Sequence, residues 1–192
     1  MSRTIEQKKK DVLNAATKLF AENGFEATTM SDIAKLSNVG FGSVASYYEN
    51  KETLLYKCVE EPMQDLLEKT LQFDCNTQNF RNEIEAMTYQ HFKVFHENRI
   101  YLLLLIHVTS QWERYFKPYE LAHEFAVTIA KKIELLIKNG QNVGQISAGD
   151  AWIISNAYIS FILGLFISNT NEFAEETLKS FAEASTRLFG LL

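Results

Sequence analysis

The stretch TMSDIAKLSNVGFGSVASYYENKETL, residues 29–54, constrains this chain more than any other part of it. Thr29 is a residue type that caps helix N-termini, and Asp32 three positions on can reach back to it as in a capping box. Ile33 and Leu36 are expected to face one way from the helix that follows, and Ala34 is small enough for a second helix to come close. Asn38 stands where the chain must turn. Such a turn needs a residue tolerant of positive φ, usually glycine, with asparagine the next best. Val39 and Val44 are spaced to plug the gap between the two helices. The second helix, roughly Gly40–Tyr48, should display Phe41, Ser43, Ser46 and Tyr47 outward, with Gly42 leaving room for close approach to another surface. Asn50 then caps a third helix beginning Lys51-Glu52. A helix N-terminus with a lysine beside it is a ready phosphate site. The pattern implies a helix-turn-helix that docks a short helix into a DNA major groove.

The first 55 or so residues resemble the DNA-binding domain of the TetR family of bacterial transcriptional regulators. The resemblance runs from LNAATKLFAENGFEATTMSDIA through NVGFG to YYENKETLL, just over a quarter of the chain. It implies an all-α fold: a three-helix DNA-binding domain over residues 1–50, then a larger helical effector-binding and dimerisation domain over residues 51–192. It also implies a homodimeric, ligand-responsive regulator, usually a repressor, on a palindromic operator. Carried onto the matching positions, the DNA-binding residues are Thr29, Gly40, Phe41, Gly42, Ser43, Ser46, Tyr47 and Lys51. The chain departs from the family pattern at Asn38, where Gly is usual, at Phe41, where a basic or polar residue is common, and at Ala45, where Tyr is common. Because Phe41 and Ala45 remove a likely charge and a hydroxyl, a helical ligand-binding or scaffold protein that has lost DNA binding is the alternative.

The net charge of −5 runs against DNA binding until it is divided along the chain. Residues 1–51 hold 7 Lys/Arg against 6 Asp/Glu, net +1, and residues 52–192 hold 12 against 18, net −6. Phosphate binding answers to the local field within a Debye length, about 10 Å at 0.1 M salt. An apolar fraction of 46% with two prolines and eight glycines favours a packed helical chain over disorder. Cys58 and Cys75, without a secretory signal, read as free thiols in a reducing cytoplasm. The charged start MSRTIEQKKK lacks the apolar core of a signal peptide. Trp152–Ile167 is interrupted by Ser155, Asn156 and Ser160 and reads as a buried helix rather than a membrane span.

Helical periodicity covers most of the chain. Val12, Leu13, Ala16, Leu19 and Phe20 mark a helix over residues 5–23, ended by Gly24 as a left-handed residue with Phe25 folding back. A long helix is expected from Lys51 to about Leu71, with Pro62 marking a kink or break. Others are expected over Phe80–Glu97, Ile100–Glu113, Pro118–Asn139 with a stop at Gly140, Asp150–Ser168 and Glu172–Leu191. The run YLLLLIHV should lie deep in the core. No catalytic motif is present: there is no GxSxG, P-loop, GxGxxG or CxxC, and His91 and His96 miss the i,i+4 spacing of helical metal ligands. Neither an enzyme, a cofactor nor a metal site is expected.

Two further groups follow from composition and resemblance together. Aromatic residues gather after residue 72, and each is individually accounted for by core packing. As a set, with polar interruptions, they suggest a small-molecule pocket. Its candidates are His91, Phe95, His107, Trp112, Phe116, Phe125, Trp152 and Asn156. The acidic, aromatic character favours an apolar or cationic-lipophilic effector over a multiply charged anion. Leu178, Phe181, Ser185, Leu188, Phe189 and Leu192 form one apolar stripe, and Ser160 and Gly164 are small residues four apart. These suggest a four-helix dimer interface, with ordinary core packing as the other reading.

Overall fold

The computed structural model describes residues 3–168 and 174–191. Its helices are α1 (Ile5–Asn23), α2 (Met30–Ser37), α3 (Phe41–Tyr47), α4 (Lys51–Thr70), α5 (Phe80–Glu97), α6 (Arg99–Ser110), α7 (Phe116–Asn142), α8 (Ala151–Ser168) and α9 (Glu175–Ser185). Among the described residues the β pairing is a single bridge between Ile146 and Leu191. The expected all-α fold is what forms.

Two compact units emerge. One holds the residues up to Gln64 together with Asn98–Glu124; the other holds Asp65–Glu97 and the residues from Phe125 onward. In the first unit, Val12, Ala16 and Phe20 of α1 are fully buried at helical spacing, and α1 packs against α2 and α6. Ile33, Val44, Leu54 and Leu104 complete this core. In the second, α5 packs against α9 and α8, and Ile84, Met87, Ile133, Leu136, Tyr158 and Phe189 are buried. Each large apolar side chain buried in this way contributes roughly 1.5–3 kcal/mol.

The second core also contains polar groups, and among the described residues each buried side-chain nitrogen or oxygen has a partner. His91 Nε2 lies 2.8 Å from the carbonyl oxygen of Thr70, the last residue of α4, and His91 Nδ1 lies 2.8 Å from the hydroxyl of Tyr158 on α8. A carbonyl only accepts, so Nε2 carries the proton and Nδ1 accepts from Tyr158. Burial disfavours the imidazolium and holds the His91 pKa down at about 4, against a smaller opposing effect of the Thr70 carbonyl. Thr88 of α5 and Ser185 of α9 share a second buried hydrogen bond at 2.9 Å.

Several expectations are corrected. Gly24 has φ 82° as expected, but ψ 162° is extended rather than left-handed helical. Leu36 is 48% exposed, because α2 buries the stripe Ile33, Ala34 and Ser37 instead. The helix over α4 runs unbroken through Pro62. α6 stops at Ser110, short of Glu113, where turns take over. α7 continues through Gly140 to Asn142. Gly140 is there for close approach: a Cβ would stand 2.5 Å from Ile146 Cδ1 and 3.0 Å from Phe80 Cδ1. α9 is shorter than expected and gives way to turns after Ser185; Glu172 and Leu192, placed in that helix and its stripe, lie outside the described residues.

The described residues of this chain cover α8 along one side only. Its buried stripe is Ala151, Ser155, Tyr158, Ile162 and Phe166. The opposite side, with Ile153, Asn156, Ala157, Ser160, Gly164 and Ile167, is exposed. The helix is therefore apolar all round yet buried on one side. Among the described residues it is the one helix long and apolar enough to cross a membrane, a test of length and composition that the core helix of a soluble protein also passes.

Candidate nucleic-acid interface

The site is built by local signals that the chain satisfies almost group by group. The Thr29 hydroxyl accepts from the Asp32 amide at 3.1 Å, and an Asp32 carboxylate oxygen accepts from the Thr29 amide at 3.0 Å. This is the reciprocal capping box. The Thr29 hydroxyl also donates to the Asp32 carboxylate at 2.6 Å, and that bond, followed by the one from the Thr29 amide, holds the Asp32 carboxyl below its ordinary pKa. α2 ends at Asn38, the one described non-glycine residue at positive φ, with φ 52° and ψ 43°. Its amide donates back to α2, and the Val39 amide reaches the Ala34 carbonyl at 3.1 Å. Gly40 is the N-cap of α3, and Val44, fully buried, is the inward anchor of that helix.

What remains of α3 faces outward. Phe41 is 58% exposed, Gly42, Ala45 and Ser46 are exposed, and Ser43 and Tyr47 are half-buried. A Cβ built on Gly40 or Gly42 would meet no atom within 4 Å, so the glycines leave this surface open rather than serving a contact inside the chain. Lys9 of α1 holds its ammonium 5.8 Å from the centre of the Tyr47 ring, bringing positive charge to the same edge. Behind α3, the Tyr48 hydroxyl donates to the Lys9 carbonyl at 3.4 Å, and the Asn50 side chain accepts from the Thr53 amide at 2.7 Å to cap α4.

Lys51 is where the structure departs from expectation. Its ammonium donates to the carbonyls of Phe25 at 2.7 Å and Thr28 at 2.9 Å, and lies 4.2 Å from the centre of the Phe25 ring. Lys51 is therefore a tie on the α1–α2 turn, and the phosphate contact expected of it would draw the same ammonium away from these carbonyls. Arg3 is the residue that sequence reasoning missed. Its guanidinium pairs with Asp11 at 2.6 Å and donates to the carbonyls of Ser37, at 3.2 Å, and Asn38. It thereby closes the end of α2 across 34 positions of sequence, which no local signal could have announced.

The expected effector residues divide between the units. His107, Trp112 and Phe116 belong to the first, and His91, Phe95, Phe125, Trp152 and Asn156 to the second. Phe116 lines a cleft of about 920 Å³ with Phe25, Tyr56 and Tyr115. Trp112 is exposed beside Tyr119, and His107 packs on Tyr115 at 6.0 Å. His91 and Phe95 stack in the core, with both imidazole nitrogens of His91 engaged within the chain. Phe125 is buried, Trp152 is partly exposed, and Asn156 donates to the Trp152 carbonyl of its own helix at 2.8 Å. Among the described residues no group of three or more His, Cys, Asp or Glu could hold a metal.

The expected interface residues also divide. Ser185 and Phe189 are fully buried inside the chain, Ser185 bonded to Thr88 and Phe189 packed 5.1 Å from Tyr158. Phe181 packs 5.8 Å from Phe92, and Leu178 is half-buried. Phe181 and Ser185 of α9 thus face this chain's own α5, and Phe189, beyond the helix, faces α8, which is the core packing that was the other reading of this stripe. Ser160, Gly164 and Leu188 are exposed.

The comparisons with known proteins agree with the helix-turn-helix. The family model for bacterial regulatory proteins of the tetR family matches residues 12–58. The chain is 33% identical over 144 residues to the HTH-type transcriptional regulator YhgD of Bacillus subtilis (strain 168), spanning 69% of this chain and 71% of that protein. It is 26% identical over 134 residues to the HTH-type transcriptional repressor KstR2 of Rhodococcus jostii (strain RHA1), spanning 68% of this chain and 65% of the repressor. A solved bacterial regulatory protein of the tetR family from Rhodococcus RHA1 superposes with a TM-score of 0.80 at 19% identity, covering 96% of this chain and 98% of that one. At that identity the structural likeness speaks for the fold, while the B. subtilis relative speaks for the family. The chain belongs to the TetR family of bacterial DNA-binding transcriptional regulators.

Proposed function

We propose that this regulator is a repressor that binds a palindromic operator as a homodimer in the cytoplasm and leaves it when a small apolar effector binds. Residues 1–50 read the DNA, and residues 51–192 supply the dimer contact and respond to the effector. The observation that carries the reading is α3. One buried valine anchors it, while Phe41, Ala45 and Ser46 stand free in solvent and Ser43 and Tyr47 flank them. A helix held from behind with its front bare is suited to a major groove, where Ser43 and Ser46 hydrogen-bond base edges and Phe41 packs on a thymine methyl. Thr29, Gly40, Gly42 and Tyr47 lie along the backbone side, where amides and hydroxyls meet phosphates. Two such helices bind half-sites about 34 Å apart, or a multiple of that.

The homodimer reading rests on α8. The exposed stripe Ile153, Ala157, Ser160, Gly164 and Ile167 is apolar or small, interrupted by the amide of Asn156, and a second copy of the same helix covers it.

The test is an anisotropy titration against the DNA upstream of the gene, over a range of salt. Saturable binding with a steep negative salt slope is expected. Phe41→Ala is expected to fold normally and to relax the preference at one base pair by about 1–3 kcal/mol. Binding with no salt dependence overturns the reading in favour of a scaffold that has lost DNA binding.

A further inference from the structure

We propose that the cleft of the first unit is a binding site for a lipophilic organic cation, and that its occupancy is transmitted to the DNA-reading helices through Phe25. The cleft, about 920 Å³, lies wholly within this unit, between the start of α4, the turn before α7 and the α1–α2 turn. That volume suits a drug-sized molecule.

The floor of the cleft is apolar. Phe25, Leu55 and Tyr115 line it and are buried, with the Phe25 and Tyr115 rings 5.4 Å apart and edge to face. Phe116 stands 54% exposed at its side, a large aromatic held in solvent at the first turn of α7. The rim is acidic. Glu120 and Glu124 follow Phe116 at successive helical turns, so one ridge of α7 offers a ring and two carboxylates, and Glu52 faces in from α4. Two cations also line the cleft. The Arg114 guanidinium is ion-paired with Glu26 and stacked 5.8 Å from the Tyr115 ring, which leaves Lys117 against Glu52 and Glu120. Aromatic faces with an excess of negative charge attract an organic cation through both the ring quadrupoles and the local field. An anion of the same shape is repelled by the same rim.

The cleft floor is also the support of the reading head. Phe25 presents its ring to the cleft, while its carbonyl accepts from Lys51 and, at 3.3 Å, from the Thr28 amide. Thr28 also bonds the Gly24 carbonyl at 2.8 Å, and the next residue, Thr29, caps α2. A ligand that displaces the Phe25 ring therefore acts on the turn from which α2 begins, with no passage through the second unit. The transmission step rests on the reading of the chain as a DNA-binding repressor; the binding step does not.

Tetraphenylphosphonium and tetraphenylborate are a matched pair for the test, alike in shape and opposite in charge. Calorimetric titration of the full chain is expected to show the phosphonium binding at least about tenfold more tightly than the borate, as a few partly screened charges require. Glu120→Gln combined with Glu124→Gln, and separately Phe116→Ala, should each weaken the phosphonium about tenfold. All three residues are exposed, and circular dichroism confirms that the variants keep their helicity. Equal affinity for the two ions, or phosphonium binding that survives both variants, overturns the site. Saturating phosphonium should weaken DNA binding about tenfold, within the usual range of coupling between sites. Phosphonium binding that leaves DNA affinity unchanged overturns the transmission step. DNA titrated without the cation tests the repressor reading independently of either.

Discussion

The ammonium of Lys51, the first residue of α4, lies 2.7 Å from the carbonyl oxygen of Phe25 and 4.2 Å from the centre of the same residue's ring. One side chain thus holds one residue by its backbone and its face at once, and it also reaches Thr28. A lysine at a helix N-terminus opposes the helix dipole unless something else uses its charge. Here two carbonyls and an aromatic face use it.

Replacing Lys51 by Met should therefore act on stability more than on DNA charge. Unfolding by urea should show a loss of about 1.5–3 kcal/mol, the range for hydrogen bonds made by a charged group. The salt slope of DNA binding should change by much less than the one unit that a lost phosphate contact removes. A stable variant with a slope reduced by a full unit would return Lys51 to the DNA surface.

Asn38 carries the turn at φ 52°. Asn38→Ala places a Cβ in the left-handed region without the local hydrogen bonding that asparagine offers, and should cost about 1–2 kcal/mol. Asn38→Gly should stay within about 0.5 kcal/mol of the parent, because easier backbone geometry offsets the added freedom of the unfolded chain. Thermal melts of the pair check the contrast. Equal losses in both would show that the asparagine side chain, and not its backbone conformation, is what matters.

His91 predicts a pH dependence. Its pKa is held at about 4 in the folded chain against an ordinary value of 6.5. On acidification the unfolded chain takes up the proton first. The stabilisation by neutral His91 is complete above about pH 6.5 and is lost progressively as the pH falls toward 4, by on the order of 3 kcal/mol. Urea unfolding of the parent and of His91→Gln at pH 7.5 and pH 5 isolates the effect. The parent should lose more stability between the two pH values than the variant, and an equal loss in both would mean that His91 does not titrate in that window.

Ile153, 64% exposed at the start of the open α8 face, is the position at which the dimer reading can be tested without harming the chain's own core. Ile153→Glu should leave the helicity intact and shift sedimentation from dimer to monomer, since an unpartnered charge in a desolvated interface costs several kcal/mol. A variant that still sediments as a dimer would place the interface elsewhere.

Local chemistry was legible in the sequence, and long-range use of side chains was not. The Thr29 cap, the Asn38 turn, the Val44 anchor and the Asn50 cap each act within a few residues, so their spacing disclosed them. Arg3 reaching Asn38, Lys51 reaching Phe25, and Ser185 reaching Thr88 are separated by 35, 26 and 97 positions, and periodicity is silent at that range. The apolar stripe on α9 shows the same limit from the other side. A stripe announces that something covers it, but Phe189 against Tyr158 and a second copy of the chain write the same pattern. α8 hid its exposed face because a helix apolar all round has no periodicity to read. The burial of Cys58, whose thiol is pushed up to about 12 by desolvation, was likewise invisible in a sequence that offered only its spacing from Cys75.

α3 has seven residues, too few to hold a helix by themselves in water. Its shape is supplied from behind, by Val44 and the turns on either side. Its exposed positions therefore carry little of the stability of the fold. Mutations at Phe41, Ala45 or Ser46 can alter which operator is recognised while the domain goes on folding as before. A lineage of such regulators can move to a new address in the genome by changing a few exposed side chains, one at a time, without passing through an unfolded ancestor.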